Sequence, residues 1–441
     1  RPNGPPIRDG KPYSQLVHLA EDVRPFVAIG QALRERGFAA PEVLEQDLDA
    51  GLLLLEDLGE AGDTLAALEG QITTIWHRLL IRNADYARDA AFWQARAEPF
   101  QGYLARDSVL LAFVQLDADL VAFIATASHT EAVRLPGIVN TVQRLGRQVQ
   151  FHLRAAPNPG DPHAAALAAN AQKVLQRLYQ LLIAPLAPLL AAYPRLQIVS
   201  AGPLHYLPFH ALHSGESYLL EQHAVSYLPA ASVLCYLRKD APAGIKPLVL
   251  GHSAAGRLPN IPIEARAVAD LFGCEAYLES QATLTNLRRE AAGSSLIHLA
   301  AHGDFRADNP LFSGVSLADG RLTTLDAFGL ELQAALVVLS ACETGRNVVG
   351  GGDELIGLMR ALLHAGASAL LLSHWQVEDH ATAELMRTFY RHLIGGAAKD
   401  TALQATQRTM IAGQSGHAHP YYWAPFFLVG DPAPLGVIRD Q

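Results

Sequence analysis

Two apolar segments that each end in polar residues stand out in the sequence, SLIHLAAHGDF (295–305) and AALVVLSACETG (334–345). Short runs that are apolar throughout are typical of strands buried on both faces of a parallel sheet. In such sheets, functional groups collect beyond the carboxyl ends of the strands. We therefore expect one strand to end at His302 and the next at Cys342, with both residues at the same edge of the sheet.

An imidazole beside a thiol is the minimum for nucleophilic catalysis, because the base removes the thiol proton and the thiolate attacks. His302 and Cys342 are 40 residues apart, about the length of two strands and a crossover connection. Gly303 has no Cβ, so we predict that the backbone N–H groups of Gly303 and Cys342 form an oxyanion hole. A single cysteine is more often a small buried apolar residue, but the matching histidine favours catalysis.

The composition excludes several classes of protein. The chain has 441 residues, half of them hydrophobic, which allows two to four domains of roughly 150 residues. Its net charge of −9 argues against a nucleic-acid partner. The three cysteines are widely spaced, which fits a reducing compartment and predicts neither disulfides nor a zinc site.

Targeting signals are not evident in the sequence. No secretion signal and no apolar run of about 18 residues is present, so we expect a cytoplasmic protein without membrane contact, metal or cofactor. The chain does not begin with Met, which suggests a fragment of a longer protein.

Strands alternate with helices throughout 245–430, which predicts an α/β fold with a mostly parallel sheet covered on both faces. Upstream, Ser108–Gln115 and Asp119–Thr126 read as a hairpin, and helices are expected at about 138–153 and 162–192. We expect three regions: 1–70, 71–240 and 241–441.

The region 1–70 contains RPFVAIGQALRERGFAAPEVLEQDLDAGLLLLEDLG (24–59). It predicts a helix over Glu21–Gly37 and a strand pair at Val43-Leu44 and Leu52–Leu55. Over about 5–65 the sequence resembles a partial small lobe of aminoglycoside-phosphotransferase-like sugar kinases. The glycine-rich loop and nucleotide-binding lysine of those kinases are absent, so we interpret it as a short α+β appendage.

An ordered series of motifs covers the remainder of the chain. The motifs are AGPLHYLPFHAL (201–212), SYLPAASVL (226–234), LIHLAAHGDF (296–305), NPLFSGVSLADGRLTTLDAF (309–328), LVVLSACETG (336–345), GGGDELIGLMRALLHAGASALLLSHWQVEDHAT (350–382) and YYWAPFFLVGDP (421–432). Over about 97–436 this series resembles a CHAT domain, which is similar to caspases, gingipains and separase. The resemblance implies a caspase-like three-layer fold with a pseudo-caspase half in 71–240 and a peptidase half in 241–441. It also implies that His302 is the base and Cys342 the nucleophile, with Gly303 and Cys342 as the oxyanion hole.

The segment after LLLSH resembles the separase segment whose acidic residue binds a basic P1 side chain. It implies a substrate pocket with Asp379 as the P1 contact, followed by Glu378 and Trp375. Equally, Asp379 could cap a helix that starts near Ala381. We expect His298 to be a hydrogen-bonded core residue, and His205 and His210 to be structural.

The leading hypothesis is a bacterial-type cysteine endopeptidase that acts on a protein or peptide, with an activating protein partner conceivable. The first alternative is a catalytically silent caspase-like interaction domain. The second is a phosphotransferase, because His302-Gly303-Asp304 with Asn309 matches the HGDxxxxN loop of the kinases named above. It is disfavoured because the phosphate loop, its lysine and a well-placed metal-binding Asp are missing.

Overall fold

The structure is a computed structural model that describes residues 6–8, 11–12, 43–47, 52–55, 68–72, 100–153, 164–237, 244–304, 309–343, 353–375, 377, 379–413 and 417–435. Some of these, among them 341–343, are described by their backbone alone. The chain divides into two compact units, residues 1–82 and residues 83–441.

The first unit contains two antiparallel strand pairs among its described residues. They are β1 (Pro6–Arg8) with β2 (Lys11–Pro12), and β3 (Val43–Asp47) with β4 (Leu52–Leu55). The predicted β3–β4 hairpin is confirmed. The helix expected over Glu21–Gly37 lies outside the described residues, and residues 68–72 are helical.

The second unit is built on a 13-stranded sheet. Its strands are β5 (Ser108–Leu116), β6 (Asp119–Ala125), β7 (Thr130–Leu135), β8 (Arg195–Val199), β9 (Ala224–Tyr227), β10 (Pro247–His252), β11 (Ala276–Leu278), β12 (Leu296–Asp304), β13 (Gly314–Leu317), β14 (Gly320–Thr323), β15 (Leu336–Glu343), β16 (Ala369–Ser373) and β17 (Phe426–Gly430). The main order is β11-β10-β12-β15-β16-β17-β9-β8-β5-β6-β7, and β13 pairs with β12 and with β14.

The strand directions divide this sheet into two halves. Strands β11, β10, β12, β15 and β16 pair in parallel, and so do β17, β9, β8 and β5. Strand β17 pairs antiparallel with β16 and lies between the halves. The sheet is therefore mixed but mostly parallel, and the predicted α/β fold class with two halves is confirmed.

Helices and short 3₁₀ turns connect these strands. The helices are α1 (Val139–Leu153), α2 (Ala164–Leu182), α3 (Ala187–Leu190), α4 (Leu219–Gln222), α5 (Ile261–Phe272), α6 (Leu284–Ala291), α7 (Thr324–Phe328), α8 (Asp353–His364), α9 (Asp379–Ile394), α10 (Lys399–Ile411) and α11 (Pro420–Trp423). The 3₁₀ turns are Phe100–Tyr103, Gly202–Tyr206, Phe209–Ala211, Ala231–Cys235, Glu279–Gln281 and Pro310–Phe312.

The central strands are buried on both faces. Along β12, the successive side chains Leu296 to Ala301 are each at most 1 % exposed. Because neighbouring residues of a strand point to opposite faces, both faces of the sheet must be covered there. The apolar runs seen in the sequence thus correspond to central parallel strands.

Several elements differ from the sequence-based expectations. The hairpin at 108–126 is confirmed, but it continues into a third strand, β7. The helix at 162–192 was expected to bend at Pro185 and Pro188, and the structure separates it there into α2 and α3. Proline lacks the N–H that a continuous helix needs. Strands β13 and β14 and helix α10 were not predicted.

His210 links the segment after β8 to strand β9 and to the residue that follows α11. Its Nε2 lies 3.0 Å from the carbonyl oxygen of Ala424, and its Nδ1 lies 2.9 Å from the hydroxyl of Tyr227. A carbonyl only accepts, so Nε2 carries the proton and Nδ1 accepts from Tyr227. Burial lowers the pKa of His210 to about 4. His210 is therefore structural, as the sequence predicts.

We expect His210 to make the fold sensitive to acid. The unfolded chain protonates this imidazole below about pH 6.5, whereas the folded protein does so only near pH 4. The unfolded state therefore binds more protons in this window, and the free energy of unfolding should fall by about 1.4 kcal/mol per pH unit, about 3 kcal/mol in all.

Urea unfolding of the wild type and of His210→Asn between pH 7 and pH 4 measures this contribution. The variant should be less stable at pH 7 and should show a shallower loss of stability on acidification. Replacement of the exposed His129 by Gln is the control and should leave the slope unchanged. Equal slopes for wild type and His210→Asn would contradict the assignment.

Candidate active site

Two neighbouring parallel strands bring positions 302 and 342 side by side. Strands β12 and β15 pair without a shift, from Leu296 opposite Leu336 to Gly303 opposite Glu343, and His302 is the register partner of Cys342. Neighbouring strands lie about 4.8 Å apart. The backbone therefore places the predicted base and the predicted nucleophile one strand spacing from each other.

The expectation that the strands end at His302 and Cys342 is wrong in detail. Strand β12 continues to Asp304 and β15 to Glu343. The continuation is possible because β13 pairs antiparallel with residues 302–304 on the side opposite β15. A Cβ at Gly314, which faces Asp304, would collide with the backbone of Leu322 in the next strand.

This extension bears on two of the sequence-based hypotheses. The phosphotransferase alternative needs His302-Gly303-Asp304 in a catalytic loop, whereas these residues form a strand within the sheet. The oxyanion-hole assignment stays a prediction. Gly303 and Cys342 lie in paired strands, and their backbone N–H groups can stabilise an oxyanion only if they point towards the bound substrate.

A buried polar cluster lies four residues before His302 on the same strand. His298 is fully buried, its Nδ1 lies 2.9 Å from the Tyr390 hydroxyl of α9, and its Nε2 lies 3.2 Å from a carboxylate oxygen of Glu264 of α5. Burial and the charge of Glu264 raise the pKa of Tyr390 well above its usual range. Tyr390 thus keeps its proton. Because the carboxylate of Glu264 only accepts, the ring proton of the neutral imidazole is on Nε2, and Nδ1 accepts from the Tyr390 hydroxyl.

The Nε2–Glu264 contact is close but does not meet the geometry of a regular hydrogen bond. The cluster ties β12 to two helices. The expectation of a satisfied core histidine is confirmed for the burial of His298 and for its Nδ1, whereas its Nε2 makes no regular hydrogen bond. Sequence reasoning missed Glu264 and Tyr390, although an acidic residue among the buried apolar positions of α5 was a visible signal.

The predicted pocket residues follow β16, which pairs in parallel with β15. The carboxyl ends of β12, β15 and β16 therefore share one edge of the sheet. Trp375 is only 2 % exposed, and its indole N–H donates to the carbonyl of Tyr421 at 3.0 Å. It is thus part of the core, and a direct contact with substrate stays a prediction.

Asp379 is the first residue of α9, which starts two residues earlier than the Ala381 expected from the sequence. Glu378 lies outside the described residues. The assignment of Asp379 and Glu378 to a substrate pocket stays a prediction.

The geometry defines an α/β protein with a histidine and a cysteine in register on adjacent central strands. The CHAT domain family matches residues 172–431, more than half of the chain. The chain therefore belongs to the CHAT domain family.

Two curated relatives are tetratricopeptide repeat protein 28 of Mus musculus and of Homo sapiens. Each is 26% identical over 331 residues, which covers 60% of this chain and 13% of the relative. The chain thus spans a small part of these relatives, and the expectation of a bacterial-type domain stays a prediction.

Two solved structures, both crystal structures of the Saccharomyces cerevisiae separase–securin complex, match at 9% identity. They have TM-scores of 0.49 and 0.44, and each match covers 79% of this chain and 31% of that chain.

Among the described residues, no helix is both long and apolar enough to cross a membrane.

We expect the Tyr390 hydroxyl to stabilise the strand that carries His302. Tyr390→Phe removes the donor to His298 Nδ1 and leaves a buried acceptor without its partner, which costs about 1–3 kcal/mol. Chemical denaturation of the variant and of Tyr193→Phe, a half-buried tyrosine outside this cluster, gives the comparison. A loss no larger than that of Tyr193→Phe would argue against the contact.

Proposed function

We propose that the protein is a cysteine endopeptidase that hydrolyses peptide bonds of a protein substrate through His302 and Cys342. The observation that carries this proposal is the register of the two residues on β12 and β15. Register partners on adjacent parallel strands project to the same face of a sheet. A base and a thiol placed in this way meet the geometric requirement for nucleophilic catalysis.

In the proposed acylation step, the imidazole of His302 takes the proton of the Cys342 thiol. The thiolate sulfur attacks the carbonyl carbon of the scissile bond, and the negative charge moves to the carbonyl oxygen. The N–H groups of Gly303 and Cys342 are proposed to stabilise that oxygen. The tetrahedral intermediate collapses as the imidazolium of His302 protonates the leaving amine, which leaves a thioester on Cys342.

In the proposed deacylation step, water replaces the amine. His302 accepts a proton from the water as its oxygen attacks the thioester carbonyl, and the same proton returns to the departing sulfur. The carboxylic acid product leaves, and the thiol is restored. All of this chemistry is supplied by the chain's own residues, so the proposal needs no cofactor.

The frame around these residues supports the proposal. A catalytic pair works best on rigid elements whose own positions are held by neighbouring contacts. Strand β12 is buried, paired on both sides, and bonded through His298 to α9. By contrast, a domain that only binds a partner does not need a histidine and a cysteine at matched positions of two central strands.

We expect loss of peptide cleavage when either member of the pair is removed. Cys342→Ala and His302→Ala should each lower kcat/KM against a mixed-sequence peptide library by about a thousandfold or more, and the double variant should be no worse, because the two residues act as a unit. The full chain is used, with cleavage followed by mass spectrometry.

Cys274→Ala is the matched control, because this thiol is half-buried and burial raises its pKa, which keeps it protonated. It should leave cleavage unchanged. Undiminished cleavage by Cys342→Ala would refute the proposal. Failure of a thiol-directed probe to label Cys342, together with no cleavage of any library member, would favour the silent interaction domain.

We further propose that Asp379, the first residue of α9, selects a basic P1 side chain, with Glu378 in support. Asp379→Asn removes one negative charge at nearly constant volume. It should lower cleavage after Arg or Lys by about 10–100-fold, equivalent to about 1.4–2.8 kcal/mol, while cleavage after uncharged residues changes little. The cleavage-site profile of the library measures this ratio.

Glu331→Gln, at an exposed acidic position, is the control for the change in net charge. If Asp379→Asn has the same P1 profile as the wild type, Asp379 serves only the first turn of its helix, where a carboxylate is stabilised by the helix dipole.

A further inference from the structure

Three potential metal ligands come together on the helix that follows the predicted pocket segment. His380 and Glu384 are both in α9, and His417 lies in the segment that leads into α11. One ligand atom from each residue lies within 4.8 Å of the other two. Nδ1 of His417 lies 3.0 Å from a carboxylate oxygen of Glu384.

The spacing along the chain explains half of this arrangement. His380 and Glu384 are four residues apart in one helix, so their side chains lie one above the other on the same face. His417 comes from a segment more than 30 residues later, and its ring lies 6.0 Å from the ring of His380, centroid to centroid. The ring of His417 also contacts Tyr422, at 4.7 Å between centroids, which helps to fix its position.

We propose that His380, Glu384 and His417 bind Zn²⁺. Two imidazole nitrogens and one carboxylate oxygen form a ligand set that zinc accepts, with bonds of about 2.0–2.2 Å and a water molecule in the fourth position. A tetrahedral site with such bonds needs ligand atoms about 3.4 Å apart. The three atoms lie within 4.8 Å of one another, and His380 is exposed, so its side chain can rotate to bring its ring nitrogen to that spacing.

The competing interpretation is that His417 and Glu384 form an ordinary hydrogen-bonded pair and that His380 only happens to be near. Two features favour a metal site. A hydrogen-bonded pair of His417 and Glu384 needs no third ligand. His380 nevertheless lies four residues before Glu384, on the same face of α9, where it can act as that ligand. The three ligands also come from only two segments, so binding needs no rearrangement of the fold.

The site would join two segments that are already in contact. The indole N–H of Trp375, which precedes α9, donates to the carbonyl of Tyr421 in α11. An ion held by α9 and by His417 would connect the same parts of the chain a second time. The inference is independent of the proposed peptidase activity, because none of the three ligands has a role in that mechanism.

Isothermal titration of the full chain with Zn²⁺ tests the proposal. The Cys342→Ala protein is used as the parent, so that binding of zinc to the proposed nucleophile cannot contribute. We expect one Zn²⁺ per chain, at least tenfold weaker binding after His380→Ala, Glu384→Gln or His417→Ala, and no competition from Mg²⁺, which prefers an all-oxygen octahedral set.

His392→Ala, in the last turn of the same helix, is the matched control and should bind zinc as the parent does. His380→Ala is the decisive variant, because an exposed side chain can be truncated without unfolding the protein, and its melting temperature without metal should equal that of the parent. At one Zn²⁺ concentration, the melting temperature of the parent should rise by more than that of His380→Ala, because stabilisation grows with the ratio of free zinc to Kd. Absence of zinc binding at 100 µM, or equal affinity of His380→Ala and the parent, would overturn the proposal.

Discussion

The parallel pairing of β12 with β15 is the constraint on which the site depends. Residues 296–301 of β12 and 336–340 of β15 are buried, so their side chains are fitted to neighbours on two faces at once. Register is strongly specified where faces are buried, because a slip by one residue exchanges the two faces. Such a slip would also place His302 opposite Ala341 or Glu343 rather than Cys342. The apolar packing of the strands thus determines which residues face each other at their polar ends.

A second constraint holds the two halves of the sheet together. Strand β17 pairs antiparallel with β16 and parallel with β9, so this one strand connects the two sets of parallel strands. The region around it is fastened by buried polar contacts, in which the side-chain amide of Gln407 donates to the carbonyl oxygens of Trp423 and Phe426, each at 3.0 Å. Buried polar groups that are satisfied in this way specify one arrangement of neighbours. The position of β17 explains how two sets of parallel strands become a single continuous sheet.

Much of the fold could be predicted from the sequence, because its strands are apolar and its connections have the length of a crossover. The pairing of His302 with Cys342 followed from their distance in the sequence and from the apolar run before each. The hairpin β13–β14 could not be recognised in the same way, since its strands are short and contain glycines that read as turns. As a result, the sequence indicated that β12 ends at His302, where the structure extends it.

Contacts between residues that are far apart in the sequence could not be predicted, for a different reason. The buried cluster of Glu264, His298 and Tyr390 joins three segments whose neighbourhood no local pattern encodes. The sequence indicates that a buried histidine needs a hydrogen-bond partner, but it does not indicate which residue provides one. The same holds for Trp375, whose resemblance to a pocket residue gave no sign that its indole N–H is bonded within the core.

The sheet and helix α9 contribute differently to the edge of the sheet where the candidate site residues lie. The sheet supplies rigid positions, and the carboxyl ends of the parallel strands β12, β15 and β16 lie at one edge of it, where ligands bind in sheets of this kind. Helix α9 begins at that edge with Asp379 and carries His380 and Glu384 within its first two turns. Near its C-terminal end, the helix is hydrogen-bonded through Tyr390 to His298, on the strand that carries His302. A ligand bound at the start of α9 would therefore act on an element that is already bonded to the strand of His302, and the coupling would pass through one helix rather than through the sheet.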